Sequence, residues 1–351
     1  MDIFPVILCG GAGARLWPVS TADRPKPFIP LLDGRSQLQE TALRLAGLPG
    51  GRPPVVVVGQ GRAGLAREQL AEVGVQAFII AEPAPRDSGP ALTAAACWIA
   101  NTDRRGLVVA VASDHHIPDA AAFRASVRNA LVAAERGYIV TFGVNPTFPA
   151  TAYGYIRPGE ALGPDLPGRR IDTFVEKPDA AKAEAYLSAG YLWNSGNLVF
   201  RADRLLNEVG LYAPAMGEAV GRAVASGVSS EGRLDLGPAF RDAEAVSIDV
   251  AVMEKTDRAA VIEIDYLWSD LGSWRAVWAA SERDVAGNAV QARAAVADCT
   301  ACLIRADPRA RIVAIGLRKI AVVIEGDRIL VCDLDAPGQV LKDAVANLGG
   351  E

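Results

Sequence analysis

The chain has 351 residues, half of them hydrophobic, with 36 basic and 41 acidic side chains and a net charge of −5. That much apolar material builds a sizeable core, and the length suits one large domain with a smaller one. The acidic balance excludes broad nucleic-acid binding and a basic membrane-surface role, so an anionic ligand must be held by a local cluster of cations.

Phe4 to Cys9 reads as a buried strand and runs into Gly10, Gly11 and Gly13, then Arg15 and, eleven residues on, Lys26. Glycines let backbone N–H groups approach an anion, and the two cations neutralise it, so this stretch is a candidate phosphate cradle. Its spacing matches neither a Walker A loop nor a dinucleotide fingerprint, which disfavours a dehydrogenase. Strand and helix patterns then alternate. Ser36 opens a helix with Gln39 completing a capping box. Strands are expected at 55–58, 76–81, 107–112 and 138–143, and helices at 65–73, at 120–136 and after Ser88, which is expected as the cap with Pro90 in the first turn. Such alternation predicts an α/β fold with a Rossmann-like, mostly parallel sheet, whose ligands sit at the carboxyl ends of the strands.

From Asn145 the pattern becomes turn-rich through Gly159. Strands at 170–176 and 191–200 then frame an inserted antiparallel segment, with Asp179 capping a helix between them. Helices are expected at 204–209 and 215–225, a helical patch at 247–255 and a strand at 260–264. Beyond residue 284, short strands at 294–304, 311–316, 320–324 and 328–332 suggest a small β-helix-like domain closed by a helix at 340–348. The expected division is a catalytic domain at 1–284 and the small domain at 285–351.

Asp114 and Asp270, the latter in WSDLGSW, are distant carboxylates, each expected at the end of a strand, that could share one Mg²⁺. His115 and His116, the only histidines, point opposite ways on an extended segment, so one buried and one exposed is expected. Glu176 and Asn194 are polar groups beside apolar strands, suited to sugar hydroxyls or to structural hydrogen bonds. The five cysteines are scattered through apolar runs, as reduced buried thiols are, and Cys299-x-x-Cys302 is expected to be structural. No signal-peptide pattern and no apolar run of about 18 residues is seen, which predicts a cytoplasmic protein with no membrane association.

The stretch GGAGARLWPVSTADRPKPF resembles the signature of the sugar-phosphate nucleotidyltransferases. EPAPRDSGPALTAAA, ASDHHI, FGVNPTFPATAYGYI, FVEKPD, YLWNSGNLVF, SIDVAVMEKT and WSDLGSW narrow the resemblance to bacterial mannose-1-phosphate guanylyltransferases. AGNAV, AIGLRKIAVV and GDRILV resemble the family's small C-terminal left-handed β-helix-like domain. The resemblance implies GTP and mannose 1-phosphate as substrates and Mg²⁺ as cofactor. It implies that Gly10, Gly11 and Gly13 cradle the GTP phosphates, that Arg15 and Lys26 are catalytic, and that Arg86, Asp87 and Ser88 lie near the nucleotide. It places Mg²⁺ on Asp114 and Asp270, mannose on Gly154, Glu176 and Asn194, and the sugar phosphate near Lys177. It also implies that copies can pair as a homodimer.

The chain departs from the family pattern at Asp87, Ala150 and Val250, which bears on base and sugar choice more than on reaction type. Many relatives carry an isomerase cupin beyond this length. The chain ends at Glu351 with two adjacent histidines, so no isomerase activity is expected. The same chemistry on another NTP and sugar 1-phosphate, or a non-catalytic sugar-nucleotide sensor, stay open at this point.

Overall fold

A computed structural model describes all residues except 12, 33, 49 and 349–351. Ala12 of the glycine-rich loop and the last three residues of the expected small domain lie outside the described residues. The chain divides into two compact units, Met1–Gly10, Thr41–Ser113 and Ile117–Trp268 in the first, and Gly11–Glu40, Asp114–His116 and Ser269–Glu351 in the second.

The first unit is built on strands β1 (Ile3–Cys9), β2 (Val55–Gly59), β3 (Phe78–Glu82), β4 (Leu107–Ala112), β5 (Ile139–Val144), β6 (Tyr155–Ala161), β7 (Arg169–Val175), β8 (Leu192–Arg201), β9 (Val228–Ser230), β10 (Arg233–Asp235) and β11 (Ala259–Ile264). They form one mixed sheet in the order β5-β11-β7-β6-β8-β4-β1-β2-β3-β10-β9. β4, β1, β2, β3 and β10 run parallel, and β6, β7 and β8 pair antiparallel among themselves. The connecting helices are α1 (Gln37–Leu45), α2 (Ala63–Glu72), α3 (Ser88–Thr102), α4 (Ala120–Glu135), α5 (Ala180–Ser188), α6 (Ala202–Tyr212) and α7 (Pro214–Ala225). Strands β2, β4 and β5 are almost continuously buried, because helices cover both faces of a parallel sheet and select Val, Ile and Ala over alternation. The main core joins Val6, Val57, Ile80 and Val108 of the strands to Ala95 and Ile99 of α3, Leu205 of α6 and Val220 of α7.

The second unit holds α8 (Trp274–Ala280), β12 (Ala289–Gln291), β13 (Arg293–Ala297), β14 (Leu303–Ala306), β15 (Arg311–Ile315), β16 (Ile320–Glu325), β17 (Arg328–Asp333) and α9 (Gly338–Ala346). β12, β14 and β16 stack in parallel, as do β13 and β15, and β17 folds back antiparallel on β16. Parallel stacking of such short strands is the geometry of a β-helix coil. Leu303, Val323 and Leu330 pack on one face against Leu16, Val19, Ile29, Leu31 and Trp274. Cys299 and Cys302 fill a separate interior cluster with Ile304 and Ala314.

Several expectations change. The expected strand at 294–304 is two strands, because the chain turns at Asp298 and Ala301, both with positive φ. The turn-rich stretch ends at Tyr155, where β6 begins, since Tyr155 and Ile156 are buried and pair with Trp193 and Leu192. The helical patch at 247–255 is one wide turn, Asp249–Met253. α3 is capped by Asp87, whose carboxylate accepts from the Ser88 amide; Ser88 is the first helical residue. β9, β10 and α8 carry no periodicity long enough to register in sequence. Against the expectation of one buried and one exposed histidine, both are partly exposed, and the His116 main chain bridges that of Ser269 outside the named strands. Among the described residues no helix is long and apolar enough to cross a membrane.

Candidate active site

In the second unit the glycine-rich loop turns through Ala14–Leu16, a single 3-10 turn preceded by Gly13 in the left-handed region at φ 63°. A Cβ on Gly13 would sit 2.5 Å from the Lys26 Cβ and 2.7 Å from the Ser20 Oγ, so glycine is required here by conformation and by space. Among the described residues, a Cβ on Gly10 or Gly11 would meet no atom within 4 Å beyond its own chain neighbours. The rest of the loop is fastened down. The Trp274 indole donates to the Trp17 carbonyl at 3.0 Å, and the Arg305 guanidinium donates to the Pro30 and Leu31 carbonyls at 2.8 Å each.

Lys26 is the hub of this part. It is 5% exposed, and its Nζ pairs with the Asp114 Oδ2 at 2.7 Å and donates to the Asp270 main-chain carbonyl. Burial alone would lift the Asp114 carboxyl. The charge and hydrogen bond of Lys26, with His115, outweigh it and hold Asp114 below the usual carboxylate range. The Asp270 Oδ1 accepts from the Gly272 amide at 3.0 Å, and Leu271 between them takes a positive φ of 43°. Gly13, Lys26, Asp114 and Asp270 are therefore brought together. Asp270 stands in the stretch beyond β11, not at its end as expected from sequence, beside the His116–Ser269 bridge. Arg15 is exposed on the 3-10 turn, its stem against Gly338 at the start of α9.

In the first unit Gly154, Glu176, Lys177 and Asn194 also converge. Asn194 donates its main-chain N–H to the Gly154 carbonyl at 2.8 Å, and a Cβ on Gly154 would lie 2.8 Å from the Glu176 Oε2. The Asn194 side chain is fixed on both ends. Its Oδ1 accepts from the Thr141 hydroxyl at 2.7 Å and the Gly196 amide at 3.1 Å, and its Nδ2 donates to the Asp249 Oδ1 at 3.0 Å. Lys177, at φ 46°, pairs with the Glu176 Oε1 at 2.5 Å. Burial would lower the Lys177 ammonium, but Glu176, then Asp249 and Asp87, hold it above the usual lysine range.

Arg86, Asp87 and Ser88 connect to this group through residues 241–249. The Arg86 guanidinium donates to the Arg241 carbonyl, and the Ser88 Oγ accepts from the Ile248 amide at 3.0 Å. Asp87 holds φ at 66°, a backbone region costly for a non-glycine residue. Non-glycine residues forced into this region recur at the candidate positions Asp87 and Lys177 and beside Asp270, as happens where a site over-determines its backbone.

Asp249, at the centre of the Asn194 and Lys177 contacts, is not among the sequence candidates. Asp249 is pushed up to about 7, first by burial and then by the Glu176 charge. A lone carboxylate within the apolar run Ile248 to Met253 was the available signal. Glu82, at the end of β3, is also pushed up to about 7 by burial. The Cys299 and Cys302 thiols donate to the backbone carbonyls of Ala297 and Thr300, as interior packing groups do, in line with the structural role expected of them.

The chain matches the family described as Nucleotidyl transferase over residues 4–287. It is 40% identical to the xanthan biosynthesis protein XanB of Xanthomonas campestris pv. campestris, over 99% of this chain and 73% of that protein. It is 37% identical to a mannose-1-phosphate guanylyltransferase of Klebsiella pneumoniae, over 97% of this chain and 73% of that one. Its fold superposes on a crystal structure described as a mannose-1-phosphate geranyltransferase from Thermus thermophilus, with a TM-score of 0.86, 31% identity and 99% of each chain covered. With a phosphate-type loop, a buried lysine and two aspartates gathered in one cluster, and matches of this extent, the chain belongs to the nucleotidyl transferase family and is an enzyme of that class.

Proposed function

We propose that the chain is a mannose-1-phosphate guanylyltransferase, converting GTP and α-D-mannose 1-phosphate into GDP-mannose and diphosphate. The observation that carries this reading is the buried Lys26, held between Asp114 and Asp270 directly under the glycine-rich loop. The names of several relatives, at 37–38% identity over nearly the whole chain, support the substrate pair.

The sugar phosphate is already an anionic nucleophile, so no strong base is needed. Its oxygen attacks the α-phosphorus of GTP, the bond to the β-phosphate oxygen breaks, and the electron pair leaves on diphosphate. The obstacle is repulsion between two polyanions and charge on the leaving group. Gly10, Gly11 and Gly13 would line the phosphates with backbone, Arg15 would hold the β- and γ-phosphates, and Lys26 would contact the reacting phosphates. Arg86, Asp87 and Ser88 would lie along the nucleotide. Gly154, Glu176 and Asn194 would bind mannose, with Lys177 on the sugar phosphate.

Asp114 and Asp270 would hold Mg²⁺. The donor set is oxygen-only and Asp114 is kept ionised, which suits a hard divalent cation. When bound, the ion would supply positive charge against the triphosphate. The domain organisation we propose is catalytic from 1 to 284 and β-helix-like from 285 to 351, in a cytoplasmic protein whose copies can form a homodimer.

Diphosphate release measured across four NTPs and several sugar 1-phosphates tests the reading. Fastest turnover is expected with GTP and mannose 1-phosphate. Fastest turnover with UTP or dTTP and glucose 1-phosphate would replace this substrate pair with another, and no release with any pair would leave a binding protein.

A further inference from the structure

We propose that helix α9 positions Arg15, with Gly338 as the positioning residue. The proposal rests on the reading above in which Arg15 holds the β- and γ-phosphates. On the 3-10 turn Ala14–Leu16, neighbouring side chains diverge by about a third of a turn. Leu16 is 1% exposed and buried among Leu330 and Leu334, with Leu341 of α9 packed on the same cluster. Anchoring Leu16 inward sends Arg15 out over the surface, where the first residue of α9 meets it. A Cβ built on Gly338 would lie 2.9 Å from the Arg15 Cδ, 3.3 Å from Cγ and 3.7 Å from Cβ. The three methylene carbons of the arginine stem therefore lie along the bare Gly338 backbone.

The glycine is not there for its backbone, because Gly338 does not take a positive φ. α9 adds little to the core, since none of its residues is fully buried and Leu341 packs on the cluster only in part. What the helix supplies is a flat floor. A long exposed arginine samples many rotamers, and a floor beneath Cβ to Cδ removes those that fold back onto the tail. A side chain at 338 would lift the stem and swing the guanidinium from its line. An ångström of misplacement at a reacting group lowers rate by as much as roughly a hundredfold.

Gly338→Ala separates this from a merely structural role. Alanine favours helix, and the group it displaces is a flexible stem, so the thermal midpoint holds or rises. The expected result is a fall on the order of tenfold in kcat/KM for GTP, with KM for the sugar 1-phosphate unchanged. Gly338→Leu is expected to fall further. In an Arg15→Ala background, Gly338→Ala should change nothing more. Full turnover in Gly338→Ala and Gly338→Leu, beside an impaired Arg15→Ala, would overturn the proposal while leaving the role of Arg15 standing. The same holds for a loss from Gly338→Ala that persists undiminished in the Arg15→Ala background. Full turnover in Arg15→Ala would overturn the role of Arg15 itself.

Discussion

The Lys26 ammonium and the Asp114 carboxylate meet at 2.7 Å across a separation of 88 residues in sequence. The pair ties the loop that follows β1 to the segment that follows β4, and the Asp270 carbonyl closes the group. Burial would lift the Asp114 carboxyl, and the Lys26 charge and hydrogen bond hold it below the usual carboxylate range.

Lys26→Met should lower kcat roughly 10²–10³-fold, the loss typical of one charge-stabilising contact. It also removes the partner that depresses Asp114. A depressed carboxyl contributes stability that is present above its unfolded pKa of about 3.9 and is lost as pH falls through the folded value. The variant should therefore unfold at a higher pH on acid titration, followed by circular dichroism. An unchanged acid midpoint would mean that the pair contributes no stability.

Asp249 predicts the opposite slope. Its carboxyl is raised to about 7, against about 3.9 in the unfolded chain. Between those values the folded state binds the extra proton, so this group lets stability fall as pH rises from about 4 to about 7 and level off above. Asp249→Asn should flatten that slope, which urea unfolding at about pH 5 and about pH 8 would show. It keeps an oxygen that can accept from Asn194, so KM for the sugar 1-phosphate should change little. Asp249→Ala should raise that KM on the order of tenfold by releasing the amide.

Gly13→Ala should destabilise by about 1–3 kcal/mol, because it combines a left-handed backbone with a Cβ forced against Lys26. A Cβ at Gly10 meets no atom of the described residues beyond its chain neighbours, so Gly10→Ala should leave stability nearly unchanged. Denaturant midpoints of the two variants compare them directly, and equal losses would contradict this account of the loop.

Asn194→Ala should cost about 1–3 kcal/mol, since it strips partners from the Thr141 hydroxyl, the Gly196 amide and Asp249 at once. Thermal unfolding reads the cost, and the KM for mannose 1-phosphate should rise in the same variant.

Much of the local structure is legible in the sequence. Ser36 and Gln39 make the reciprocal capping bonds their spacing implies, at 2.9 and 3.2 Å. Asp179 caps α5 through the Lys182 amide. The parallel strands stood out because burial on both faces leaves unbroken apolar runs. What stayed hidden depends on contacts between distant segments. Asp87 displaced Ser88 as the cap because its own backbone takes a positive φ that composition does not reveal. Asp249 looks like one polar residue in an apolar stretch until Asn194 and Glu176 are placed beside it. Gly338 has no local signal, because its neighbour is Arg15.

The central claim is that an oxygen of mannose 1-phosphate attacks the α-phosphorus of GTP. Mannose 1-phosphate carrying ¹⁸O in its phosphate group tests this most directly, with GTP, Mg²⁺ and the full chain, and products read by mass spectrometry. The account predicts GDP-mannose that retains all of the label and an equal amount of unlabelled diphosphate. Label in the diphosphate, or no GDP-mannose, would contradict it.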